Sequence, residues 1–280
     1  MSIIHHYTSI NTLALILKYQ TIRFNRLDRV DDVSEAKFYG KYELGKFLFV
    51  SCWTDSNVES IPLWHMYTDK MRGVRISFES DWMYYRPLKP DPKYRFIQEG
   101  TLYAPIPFEK FFNDNYLILP NIFQRDKILK KVKYVDDPSI YLKDVVDLKV
   151  QPDGQAKMQL KEVNDFATYK NKVWSFQEEV RFILFILPTI PIPPDGFSNE
   201  YYLKALPSHI MTSIINGNGP NLENFDIDID AKVLDKVIIT LGPLCDEGDE
   251  IIVDSLLKKY TNNGVLRKSN LTGNIRKPNK

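Results

Sequence analysis

The sequence predicts an α+β fold, a sheet core interrupted by a mostly helical insertion. Three observations support this. Strand and helix patterns follow one another through the first eighty residues. Two runs rich in aromatic and β-branched residues, Phe47–Trp53 and Val173–Leu187, have the content of central strands. The stretch between them, about 81–170, shows helical periodicity near 107–117, 121–131 and 155–170. At 280 residues and 44% hydrophobic content, the chain can build a substantial core, and no repeat or linker divides it. It reads as one domain over 1–264 followed by a loose basic tail, 265–280, with five basic residues and no acidic one from Arg267 onward.

Ile3–Thr8 reads as a strand, after which Ser9 can cap a helix over Ile10–Tyr19, where Ile10, Leu13, Ile16 and Leu17 repeat at helical spacing. A strand at Ile22–Phe24 runs into a charged segment ending at Ala36 that reads as a surface loop, the kind of segment that often carries binding residues. After the strand at Phe47–Trp53, Ser60 and Pro62 mark a helix start, and Gly73–Ser80 follows as a strand. Inside the insertion, Tyr94–Gln98 and Val132–Val135 are strand-like. Pro188 ends the second aromatic run, a Pro-rich connector follows, and Tyr201–Leu206 and Val237–Leu241 read as further strands. A helix within 247–260 places Ile251, Ile252, Leu256 and Leu257 on one face, and Asn263-Gly264 stops it.

With 37 basic against 36 acidic residues, the chain has no global field to hold nucleic acid or an anionic membrane. Two cysteines exclude a disulfide scaffold and fit a reducing cytoplasm. The N-terminus lacks a signal peptide's basic region, and the longest apolar run is too short for a membrane helix, so a soluble, cytoplasmic protein without membrane contact is expected. Phosphate-cradling glycine loops, hydrolase elbows and H-E-x-x-H are absent, and the four histidines do not stand at ligand spacing, so no metal site is expected.

The residues able to carry chemistry are scattered. His6 and Thr8 share one face of the first strand, with His5 and Tyr7 on the other. Trp64 and Tyr67 lie three apart on a helix. Gln177, Glu179 and Arg181 fall on one face of a strand within an otherwise apolar run. That polar stripe is either a structural Glu–Arg pairing or part of a site.

The succession HYTS-helix-IRFN, VSCWTD, SIPLWHMY, GVRISF, W-x-x-Q-x-E-x-R and VIITLGPL resembles a bacterial family of domains of unknown function frequent in mobile and defence loci, over most of residues 3–265. The same order is similar to the ADP-ribosyltransferase superfamily. That resemblance implies a split sheet with NAD bound as substrate. It implies that His6, with Thr8, binds the adenosine-side ribose, that Tyr67 or else Trp64 covers nicotinamide, and that Glu179 is catalytic, with Gln177 orienting the acceptor. Arg23, from its position, is a candidate for the pyrophosphate. The chain departs from the superfamily in lacking a Gly after His6 and in the long gap before Gln177.

The implied function is transfer of ADP-ribose from NAD to a macromolecule by a toxin or anti-phage effector with a neutralising antitoxin partner. Nucleic acid is the favoured acceptor, because Lys127, Lys130, Lys131, Lys133 and the basic tail can meet phosphates. The alternative is a non-catalytic nucleotide- or partner-binding module of a defence system.

Overall fold

The computed structural model describes residues 2–89, 102–124, 128–150 and 156–276. Its largest sheet contains β1 (Ile3–Thr8), β2 (Thr21–Arg26), β3 (Leu48–Thr54), β4 (Val74–Glu79), β5 (Glu179–Pro188), β6 (Asn224–Asp228), β7 (Ile238–Leu241) and β8 (Val265–Lys268). The main path runs β6-β2-β3-β1-β4-β7-β8, and β5 pairs with β3 and with the short strands Tyr116–Ile118 and Leu129–Lys131. The α+β class is thus observed. Among the described residues, no helix is long and apolar enough to cross a membrane.

β3 organises the sheet. One edge pairs antiparallel with β5 along its length, from Thr54 opposite Glu179 to Leu48 opposite Phe185. The other edge is shared: β2 takes Phe49 and Val50, and β1 takes Thr54. Neither strand pairs with Ser51, Cys52 or Trp53, so the sheet splits there, and β1 and β2 diverge around the gap. Helix α1 (Ile10–Tyr19) joins the diverging ends, with Ser9 capping it by accepting a hydrogen bond from the Thr12 amide.

Alternation along β3 and β5 separates two cores. Phe49, Trp53, Val180, Phe182 and Leu184 join Leu13, Ile16 and Leu17 of α1 and Val253 and Leu257 of α4 (Glu247–Tyr260) on one face. Val50, Ile183 and Phe185 pack on the other face against Leu27, Tyr39, Leu44 and Phe166. Helix α2 (Ile61–Tyr67), capped by Ser60 with Pro62 in its first turn, sets Trp64 edge-on to Tyr7 at 4.8 Å.

Several expectations are corrected. The described part of 81–170 is mainly short strands and turns rather than a helical insertion; its helices include the single turns Phe108–Phe111 and Ser139–Leu142, besides 3-10 turns. In Ala156–Leu160, the two-residue alternation of apolar and polar side chains pairs with Val146–Val150 and prevails over the helical reading. The strand expected at Tyr201–Leu206 is the start of α3 (Glu200–Asn216), capped by Asn199 and burying Tyr202, Leu206 and Ile214 at helical spacing. The strand-like piece 94–98 lies outside the described residues.

The tail expected after residue 264 is also corrected: β8 extends the sheet parallel to β7, because the main-chain groups at the β7 edge can be satisfied by an added strand. Beyond it, Ser269 and Asn270 bond the Glu59 carboxylate, while Leu271 and Ile275 pack beside Tyr67 and Trp64.

Gly73 lets β4 leave its turn close against β1. An added Cβ would stand 2.3 Å from the Thr8 carbonyl oxygen and 2.7 Å from Thr68 Cβ. Gly73→Ala should therefore destabilise the protein by about 1–3 kcal/mol, the range for forced overpacking; urea unfolding checks this, and an unchanged midpoint would refute the close approach.

Candidate active site

A cleft of about 560 Å³ opens at the split, bounded by β1, β2, β3 and α1. His6, Thr8, Arg23, Tyr67, Gln177 and Glu179 all line it, although they come from four separate stretches of chain. Trp64 does not. It is fully buried behind Tyr7, and its indole N–H donates to Glu59, so its expected role over nicotinamide is withdrawn. Tyr67, at the end of the same helix, reaches the cleft.

The split explains His6. Cys52 has no strand partner on the divided edge, and the His6 Nδ1–H donates to its carbonyl at 2.9 Å. A carbonyl only accepts, so the proton sits on Nδ1 and Nε2 is left as an acceptor. Burial lowers the His6 pKa, which keeps the ring neutral, and Trp53 lies 5.1 Å away. His5, on the opposite face, is held by Ser77 at 2.8 Å and Asn57 at 3.3 Å.

Beneath the cleft lies an ion cluster, of which the sequence predicts only the pairing of Glu179 with Arg181. Arg181 donates to Glu179 through Nε at 2.5 Å and Nη2 at 2.9 Å, to Glu35 through Nη1 at 2.5 Å and Nη2 at 2.9 Å, and to the Ala167 carbonyl at 3.0 Å. These five bonds use the full donor set of a guanidinium. Lys170 Nζ stands 3.1 Å from Glu35 and 3.5 Å from both Glu179 and Asp31, and 4.7 Å from the centre of the Trp174 ring. Glu35, Lys170 and Arg181 are each 1% exposed. The segment read as a surface loop therefore buries its Glu35, because a buried Arg181 on β5 requires partners.

Three carboxylates face two cations in this cluster, leaving one net negative charge. Burial alone would raise the pKa of Glu179, but Arg181 and Lys170 outweigh it and hold it below the usual carboxylate value. Burial would likewise raise Asp31, and Lys170 with hydrogen bonds from Tyr67, Asp32 and Gln177 brings it down. Burial and then the neighbouring Glu179 push the Cys52 thiol well up, which disfavours its thiolate.

Gln177 does not sit on the strand face of Glu179 and Arg181. It ends a 3-10 turn (Lys172–Gln177), and Glu178 then takes a left-handed conformation, φ 43°, before β5 begins. The turn nevertheless delivers Gln177 to the same cleft, where Nε2 donates to the Tyr67 hydroxyl oxygen at 2.7 Å and to Asp31 at 3.3 Å. Tyr67 in turn donates to Asp31. Arg23 reaches the rim, where it forms a two-point pair with Asp226 at 2.9 and 3.0 Å. The lysines invoked for nucleic acid are partly neutralised: Lys131 pairs with Asp55, Lys133 with Asp165 and Lys268 with Glu250, while Lys127 lies outside the described residues.

No family model, curated protein or solved structure matches this chain.

Because the folded state lowers the pKa of His6, its contribution to stability is present above the ordinary value of 6.5 and is lost as pH falls below it. Thermal unfolding between pH 7.5 and 5 should show an acid loss of stability that is shallower in His6→Gln, whose amide can still donate to Cys52. Identical pH slopes in the two proteins would contradict a neutral, half-buried His6.

Proposed function

We propose that the protein is an NAD-dependent ADP-ribosyltransferase acting on a macromolecule, in the manner of a toxin or anti-phage effector. The observation that carries this reading is the convergence of His6, Thr8, Arg23, Tyr67, Gln177 and Glu179 on one cleft over a buried cluster with net negative charge. A site with that charge favours a developing cation and opposes a developing oxyanion.

In the proposed reaction the bond between ribose C1″ and the nicotinamide nitrogen breaks, and its electron pair returns to the ring. Positive charge develops on the ribose, an acceptor lone pair forms the new bond to C1″, and the acceptor's proton passes to water. Glu179 is suited to stabilise that charge: Arg181 and Lys170 keep it ionised and fixed before substrate arrives. A carboxylate has about four lone-pair sites; Arg181 takes two and Lys170 a third, which leaves one for a ribose hydroxyl. The Nε2 acceptor of His6 serves a second hydroxyl, and Tyr67 offers a planar wall.

The second reading, a non-catalytic nucleotide-binding module, draws on one observation: Arg181 engages both oxygens of Glu179, as a structural pair would. Labelled NAD incubated with separate RNA, DNA and protein pools decides between them and identifies the acceptor. Glu179→Gln should retain its fold by circular dichroism and lose at least about a hundredfold in nicotinamide release, the order expected when one electrostatic stabiliser is removed. Glu178→Gln, whose side chain is exposed, should match wild type. An NAD-binding protein that releases no nicotinamide would favour the binding module.

A further inference from the structure

We infer that Gln177 recognises the carboxamide of the nicotinamide ring and that Asp31 is the positioning residue that aims it, an inference that rests on the NAD reading above. The polarity of Gln177 is fixed by its neighbours. A carboxylate such as Asp31 only accepts, so the end of Gln177 that faces it must be the NH2 group. Because Tyr67 gives its proton to the same Asp31 oxygen, the two acceptors stand side by side and share one N–H of Gln177. What Gln177 has left is its carbonyl and its second N–H. Oε1 is buried, has no hydrogen-bond partner, and belongs to a residue lining the cleft.

A buried acceptor without a partner is costly, and a ligand N–H removes that cost on binding. Gln177 lies inside the cleft at 5% exposure, and here it serves recognition of the small ligand in place of the acceptor-orienting role that the superfamily resemblance implies. Tyr67 bonds directly to Gln177, so a planar ring lying on Tyr67 lies next to the Gln177 amide. The group that fits is a primary carboxamide on a cationic aromatic ring: it supplies the N–H, while the ring charge suits the acidic floor. A carboxylate in that place would confront Oε1, Asp31 and Glu179 together. A methyl ketone would offer no N–H.

The test uses the full chain and calorimetric titration with NAD, nicotinic acid adenine dinucleotide and 3-acetylpyridine adenine dinucleotide. Wild type should bind NAD at least about tenfold more tightly than either analogue, as a site built around a hydrogen bond discriminates against ligands lacking the donor. Asp31→Asn allows Gln177 to turn over, so the penalty on the acid analogue should shrink to under threefold, a change in selectivity that a merely structural residue would not produce. Gln177→Met should bind NAD and the acetylpyridine analogue alike. Equal binding of all three ligands by wild type overturns the inference and leaves the NAD reading standing, as does an undiminished acid penalty in folded Asp31→Asn. Binding of none of the three overturns the NAD reading itself. Should Asp31→Asn fail to fold, the analogue series on wild type decides the matter.

Discussion

The molecule is built around a guanidinium in a place where water cannot reach it. Arg181 lies on the central strand β5 and is 1% exposed, and a cation so placed is tolerable only if every donor is paired. Its partners come from three directions: Glu179 on the same strand, Glu35 from the segment after β2, and the Ala167 carbonyl from the segment before β5. That requirement draws two otherwise irregular polar stretches down onto one face of the sheet. The same carboxylates then hold Lys170, and Lys170 reaches Asp31 at the cleft. The charge at the base of the cleft is thus a by-product of satisfying Arg181, and a site that needs an oriented carboxylate inherits one already locked in place.

The split in the sheet is the second constraint, and it acts through the backbone. Where β1 and β2 part, β3 is left with main-chain groups that neither neighbour can pair. A hydrogen-bonding side chain at that point becomes valuable, and His6 fills the role through Cys52. A ligand in the cleft therefore meets polar groups whose orientations are set by the fold's own hydrogen-bond needs. Preorganisation of this kind requires little rearrangement on binding.

Much of this frame was legible in the sequence. Ser9 and Ser60 announced their helices, and the aromatic and β-branched content of Phe47–Trp53 and Val173–Leu187 announced β3 and β5. Local chemistry decides those elements, so local reading finds them. Tyr201–Leu206 misled because its aromatic residues suit a strand as well as a helix, and the Asn199 cap, with helical spacing continuing to Ile214, settles the matter only over a longer window. The cleft residues His6, Tyr67 and Glu179 were recognisable through the order of their motifs. Glu35, Lys170 and Asp31 were not, since each looks like an ordinary solvated charge until Arg181, 146 residues from Glu35, is placed beside them. Trp64 failed as a site residue for the converse reason: a tryptophan is most often core, and this one is.

The pairing of β3 with β5 also governs the order in which the molecule can assemble. β3 ends at Thr54 and β5 begins at Glu179, so a chain emerging during synthesis exposes the apolar edge of β3 long before its partner exists. Such late, non-local pairing slows folding and leaves a template open to wrong strands in the meantime. Glu35 waits just as long for its cation. Until β5 arrives the cleft has no acidic floor, and a nascent chain is therefore inert with respect to any chemistry that depends on it.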